Sequence, residues 1–429
     1  MPPFHSRRRC GKLGLAWAIA TAMKVASLGA DSLPVSLDPP IAPRFQTELI
    51  TDTAGYIQRG GTGRSSWGFN QSNIVRHGDD IYAMCWRDDS HLVVFRRVRP
   101  GQWEASPPLP KVPQSGVLLV DSKGRVHVIA GESASYHAIF DPPGQIQTFT
   151  VQQFARADTR FGAGIDAQDN ILVAGGLAGM SWYVLAATNG YRPVAQGRVP
   201  HEKARAYYFV SYQDGAGHTF CYDDYFVKGS GYHTLHTYYY WNPNPVQNPE
   251  GWKMQTISDV SDTVAGAARG ATENEDLLID RAGQVHFLYL RNPTPATGEW
   301  SWATDGQKRT DDALYHAVGR PNGALTHYRL GNFSRGRLHQ TSDGRLHYFL
   351  CRGDWFRFDL WYAVGDGNHP ERISEPVRLA TPTPIDHVFI NSTRAGGQPT
   401  NVIDGYFTGP YPGETRHVYY GRLTPALQK

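Results

Sequence analysis

Residues 117–131 read VLLVDSKGRVHVIAG. A four-residue apolar run ends in Asp121, a polar turn carries Gly124, and the chain resumes as Val126-His127-Val128-Ile129-Ala130. That alternation has the period of a strand, and Asp with Gly between two such runs marks a tight antiparallel turn. The pattern recurs as AGIDAQDNILVAGG (163–176), VSYQDGAGHTFCYDD (210–224), LLIDRAGQVHFLYL (277–290) and LHQTSDGRLHYFL (338–350). NIVRHGDDIYAMCW (73–86) is an earlier variant and HVFINSTRAGGQPTNVIDGYF (387–407) a degenerate last copy. The turns centre near 78, 124, 169, 217, 283, 344 and 396. A spacing of about 45 to 66 residues leaves room for two more strands per interval. Gly shortly before Trp at 103, 252 and 300 marks where an outer strand would begin. The expected fold is all-β, a seven-bladed β-propeller of four-stranded antiparallel blades. A jelly roll would not need seven copies, and a parallel β-helix needs a shorter, more regular period. A strand near Phe45–Ile50 or Val418–Leu423 is expected to close the ring, because closure removes an exposed edge.

Composition agrees. Of 429 residues, 45 are Gly and 29 are Pro, while only 19% are charged, which suits short strands and turns rather than long helices. Residues 1–30 hold five basic residues and no acid, so the formal charge of +3 becomes 37 basic against 39 acidic residues beyond them. A near-neutral chain gives no electrostatic case for nucleic-acid binding. The run SRRRCGK precedes an apolar stretch, Leu13 to Ala22, with small residues at Ser27–Ala30. This reads as an export signal, too short to span a bilayer. Residues 1–30 are therefore expected to be a signal peptide and 31–429 one propeller, a monomer, secreted or periplasmic, with no membrane attachment after cleavage. Cys85, Cys221 and Cys351 lie far apart in apolar runs and read as buried thiols, with at most one disulfide. No zinc or cofactor motif is present; a structural calcium ion in the hub stays open.

Three stretches carry a family resemblance. WGFNQSNIVRHGDDIYAMCWRDDSHLVVFRRVRPGQWE (67–104), ARAYYFVSYQDGAGHTFCYDDYFVKGSGYHT (204–234) and NEDLLIDRAGQVHFLYLRNP (274–293) resemble the BNR-repeat propeller family that includes ulvan lyases and related rhamnosyl-glucuronate-cleaving enzymes. The resemblance implies elimination or hydrolysis beside a uronic acid in an anionic polysaccharide or oligosaccharide. Abstracting the C5 proton of a uronate requires its carboxylate to be neutralised, a task matched by Arg, with Tyr or His moving the protons.

On that resemblance Tyr207 matches the Tyr of an Arg-x-Tyr strand and is expected as base or acid. Arg205 is expected on the same face if the strand is regular, and His233, with His236 beside it, follows the Gly229-Ser230-Gly231 loop. The alternative for Arg205 and Tyr207 is a bridge between blades. Asn70 and Gln71 match the first-blade signature as substrate contacts, with backbone satisfaction as the alternative. The family's Asp-His-Asn motif is replaced here by Val112-Pro113-Gln114-Ser115, and a family His gives way to Gly131-Glu132-Ser133, so Gln114 and the nearby His137 are the substitutes considered for substrate binding. Arg87, Arg291 and Arg352 each end an alternating strand and are rim candidates for a uronate, with Trp355 as aromatic surface. His127, His286 and His347 recur at one repeat position, which favours a packing or hydrogen-bonding role. Glu132, Glu273, Glu275, Asp223 and Asp224 could supply a glycosidase pair. Three readings stand: a polysaccharide lyase, a glycosidase releasing rhamnose linked to glucuronate, and a non-catalytic glycan-binding propeller.

Overall fold

The computed structural model describes residues 36–38, 42–54, 72–87, 89–112, 116–131, 135–154, 160–176, 178–202, 205–223, 225–227, 231–261, 269–296, 313–354, 357–409 and 417–425, with 36–38, 225–227, 231–233, 269–270, 293–296 and 354 described by backbone alone. All of them belong to one compact unit, 32–429.

Seven antiparallel sheets of four strands follow one another along the chain. From hub to periphery, blade one is Ile74–His77, Asp80–Trp86, Leu92–Arg99 and Gln102–Ala105; blade two is Val117–Val120, Val126–Gly131, Ser135–Phe140 and Phe149–Gln153; blade three is Gly162–Ile165, Ile171–Gly175, Gly179–Ala186 and Arg192–Pro200. Blade four is Arg205–Gln213, Ala216–Asp223, His236–Asn242 and Lys253–Asp259, with a two-stranded hairpin, Tyr225–Val227 and Gly231–His233, inserted at its end. Blade five is Arg269–Ile279, Val285–Ala296, Ala313–Gly319 and Leu325–Gly331. Blade six is Arg335–Gln340, Leu346–Asp354, Arg357–Asp366 and His369–Ser374, joined in parallel by Ser36–Asp38. Blade seven is Val388–Ile390, Ile403–Thr408 and Val418–Thr424, and its outer strand is Arg44–Thr51 from the other end of the chain. The two strands expected to close the ring therefore close it by pairing with each other.

Each sequence copy is the innermost hairpin of a blade. Inner strands such as Val126–Gly131 are buried at every position, because neighbouring blades cover both faces, whereas the outer strand Arg192–Pro200 alternates half-buried and exposed. Full burial of each Val, Leu or Ile stabilises the ring by about 1.5–3 kcal/mol. The turn Asp has a structural task. Oδ1 of Asp121 accepts the backbone N–H of Lys123 and Arg125 at 3.0 and 2.8 Å, and Oδ1 of Asp166 accepts those of Gln168 and Asn170 at 3.0 and 2.7 Å. Such side-chain turns hold the chain tightly reversed. Gly124 follows at φ +83°, a conformation that costs an L side chain strain.

The recurring histidines complete the module. His127 lies 3.3 Å from Asp121 and 2.9 Å from His137, and His286 lies 3.3 Å from Asp280 and 3.0 Å from His316. His347 meets Thr341 at 2.9 Å and the Tyr362 hydroxyl at 2.7 Å. Burial holds His127, His137 and His316 below the ordinary imidazole range and pushes His347 down to about 3. They are hydrogen-bonding cores, as their recurrence suggested. Cys85, Cys221 and Cys351 are free and buried.

Candidate functional site

Antiparallel order sends the turns between first and second strands to one end of the ring, and the connections between second and third strands and between blades to the other. The first end is stoppered. In blade seven the inner turn is enlarged, and its short 3-10 turn, Thr393–Ala395, lies across the hub. Arg394 donates to Asp276 Oδ1 at 2.5 Å and to the Leu277 carbonyl at 3.2 Å, and its guanidinium sits 4.8 Å above the Phe209 ring. Gly396 at φ +81° packs so closely on blade two that an added Cβ would fall 1.8 Å from the Val120 carbonyl oxygen. The opposite end is the mouth considered below.

Blade four's first strand is irregular where it reaches the mouth. Arg205 and Ala206 pair with Asp223 and Tyr222, but the next pair is Phe209 with Phe220, so one extra residue bulges from the ladder. Tyr207 occupies the bulge at φ +54°, a left-handed conformation that is uncommon and costly for an aromatic residue. A bulge re-aims side chains and leaves backbone groups to be satisfied elsewhere. Asn274, from the first strand of blade five, does so by donating Nδ2 to the carbonyls of Tyr207 at 2.5 Å and Phe220 at 2.8 Å. Tyr207 then stacks on Tyr222, with ring centroids 5.5 Å apart and planes 18° apart. The Arg160 guanidinium, from the segment leading into blade three, stands 5.0 Å from the Tyr207 centroid. Glu273 and Arg335 complete the cluster through their electrostatic reach to Tyr222. The Tyr222 phenol is pushed well above the usual range, first by burial and then by Tyr207 and Glu273.

The expectation that Arg205 shares Tyr207's face does not hold. The Arg205 guanidinium lies 3.9 Å from the Tyr238 ring centroid, and Tyr238 pairs across the ladder with Cys221. Cys221 and Tyr222 are consecutive, so their side chains project from opposite sides of the sheet. Arg205 faces blade three, and Tyr207 is buried against Tyr222 on the other face of the sheet; the bulge separates them.

A second polar group stands on the Arg205 side. Asp223 Oδ2 lies 2.6 Å from His236 Nδ1, Asp223 Oδ1 accepts the His236 backbone N–H at 2.9 Å, and Asp259 Oδ1 lies 3.3 Å from Nε2. Arg205, Asp223, His236 and Asp259 are thus one ionisable residue from each strand of the blade, at one level of the rim. Their separate positions in the chain hid this row. Its one sequence signal was the nearness of His236 to a Ser-Gly loop.

The remaining candidates divide. His137 is buried on His127 and on Gln152, away from any mouth, because it serves the hairpin core. Arg87 is half-exposed and pairs with Asp89 at 3.1 Å, a surface ion pair. The Arg291 Nε is buried with no hydrogen-bond partner among the described residues, near Asp259. Arg352 is exposed, donates Nε to the Asn332 carbonyl at 3.1 Å, and has Phe333 and Trp361 ring centroids 4.3 and 5.0 Å from its guanidinium. Asn70, Gln71, Gln114 and Trp355 lie outside the described residues, and His233 is described by its backbone only. Of the carboxylates weighed for a glycosidase pair, Glu275 is clamped 3.4 Å from both Arg335 and Arg337, and Asp223 is held by His236, while Glu132 and Asp224 lie outside the described residues. No group of three His, Cys, Asp or Glu among the described residues is placed to hold a metal ion.

No family model and no curated protein matches the chain. Solved structures do. The chain is similar to an ulvan lyase of polysaccharide lyase family PL25, with 14% identity over 86% of this chain and 95% of that one, and a TM-score of 0.57. An ulvan lyase of that family bound to -[GlcA(1-4)Rha3S]- matches at 14% identity over the same shares, with a TM-score of 0.55. The polysaccharide lyase Uly1 matches at 9% identity over 88% of this chain and 99% of that one, with a TM-score of 0.56. At these identities the likeness is one of fold: the chain is a seven-bladed β-propeller of four-stranded blades.

Proposed function

We propose that the protein is a carbohydrate-active enzyme, a polysaccharide lyase acting on a uronate-containing glycan at the end of the ring opposite the stopper. The observation that carries this reading is the bulge that stacks Tyr207 on Tyr222 with Arg160 5.0 Å from its ring. A guanidinium at that position supplies the positive charge that a uronate carboxylate needs before its α-proton can be removed. The Tyr207 oxygen takes the C5 proton, the C5–H electrons form the C4–C5 double bond, and the C4–oxygen bond breaks. Tyr207 then hands that proton to the leaving oxygen. Arg291 and Arg352 extend the cationic rim toward further uronates. The neighbours named above, one of them bound to a glucuronate–rhamnose sulfate chain, support the choice of substrate class. A paired-carboxylate glycosidase is less well served, because Glu275 and Asp223 are both engaged by cationic or imidazole partners. Export, suggested by residues 1–30, would bring the enzyme to polymeric glycans outside the cell.

The test is a digest of uronate polysaccharides followed by ultraviolet absorbance and reducing-end release. Elimination gives both, through the unsaturated uronate; hydrolysis gives reducing ends alone. Reducing ends without the absorbance would replace the lyase reading with the glycosidase.

A further inference from the structure

We propose a second carbohydrate site at the stoppered end of the ring, between blades two and three, that takes a sugar carrying a carboxylate or a sulfate. A cavity of about 450 Å³ opens there, within the roughly 300–1,000 Å³ range of ligand sites. Lys123 and Arg125 come to it from the inner turn of blade two, Gln168 and Asp169 from the inner turn of blade three, and Thr188 and Tyr191 from the turn before blade three's outer strand.

The state of its polar groups distinguishes this cavity. Asp169 is fully engaged, accepting the Ser122 backbone N–H at 2.7 Å and the Ser122 hydroxyl at 2.8 Å. Arg125 is fixed by Nε to Asp121 at 2.6 Å and by Nη2 to the Tyr191 hydroxyl at 3.1 Å, which leaves Nη1 without a partner among the described residues. The Lys123 ammonium, the Gln168 amide and the Thr188 hydroxyl also have no side-chain partner among the described residues. The one lining carboxylate is therefore bound to its neighbour, while the free groups are a full cation, a guanidinium nitrogen and two neutral groups suited to hydroxyls. A saccharide with one anionic substituent matches that set.

The other cavity at this end makes the contrast. It holds about 190 Å³ beside Arg394, lined by Asp166, Asp280, Arg281 and Gln340. There Asp280 is bonded to Gln284 and His286, Arg281 to Gln340 and Ser342, and Arg394 to Asp276. Its carboxylate Asp280 and its Arg394 are already engaged, and its volume falls below the roughly 300–1,000 Å³ range of ligand sites.

The site does not involve Tyr207; it rests on the glycan reading only for the choice of ligand class. Isothermal titration of the full chain with a glucuronate-containing tetrasaccharide, with cellotetraose and with inorganic sulfate tests it. Wild type should bind two tetrasaccharides. Lys123→Glu should lose the site between blades two and three, weakened about tenfold or more, and Lys123→Gln should weaken it less. Arg160→Ala should lose only the mouth site. Binding of cellotetraose or sulfate as tightly as the anionic tetrasaccharide would overturn the proposal. So would unchanged stoichiometry and affinity in Lys123→Glu. A single wild-type site abolished by Lys123→Glu supports this inference while removing the mouth from the reading above; a single site abolished by Arg160→Ala does the reverse.

Discussion

Tyr207 combines a phenol, a left-handed backbone and a nearby guanidinium in one residue. If it carries the proton, Tyr207→Phe leaves the ring stacked on Tyr222 and the melting temperature unchanged, while turnover of a uronate polymer is lost; near-normal turnover would remove it from the mechanism. Its neighbour Asn274 has a different signature. Asn274→Ala orphans the buried Tyr207 and Phe220 carbonyls, at about 1–3 kcal/mol, and lets the bulge relax. Denaturant unfolding should show that loss, together with reduced kcat. Stability lost with kcat intact would make Asn274 a purely structural bolt. At this scale the identity of Tyr207 was readable, but its direction was not. A regular strand placed Arg205 beside it, and only a two-against-three register count reveals the bulge.

The hairpin is the element from which the ring is made. Its turn could be read seven times over, and its His three times, because these residues act locally, within a few positions of one another. The resemblance, not the repeat, offered His137 for substrate binding, whereas it is buried against His127 on the adjoining strand. The enlarged turn of blade seven is the exception to the repeat, and it takes on a separate task as the stopper. Gly396→Ala adds a Cβ at φ +81° against the Val120 carbonyl. It should cost about 2–4 kcal/mol, combining backbone strain with a backbone clash. Thermal melts should show it, and an unchanged melt would mean the stopper is not packed as described.

Across the whole molecule the buried imidazoles act together. Burial lowers His218 to about 4 and His347 to about 3, and holds His127, His137 and His316 below their ordinary range. Unfolded, each would titrate near about 6.5. The unfolded chain therefore binds more protons than the folded one below that pH, so stability falls as pH drops from about 6.5 toward 4 and is insensitive to these groups above it. Melting temperatures recorded from pH 8 downward should bend near pH 6.5, and His347→Gln should flatten the slope. A melting temperature that holds level down to pH 4 would contradict buried neutral histidines.

The sequence by itself determined the strand period, the seven inner hairpins and the closing strands, because each depends on residues close along the chain or on a repeat that displays itself. Tertiary structure decided which of the candidates meet. It set Arg160 over Tyr207 from another blade, turned Arg205 away, lined up Asp223, His236 and Asp259 from three strands, and stoppered one end of the hub with Arg394. Those contacts join residues tens to hundreds of positions apart, and their geometry follows from how blades pack around the hub rather than from any local pattern.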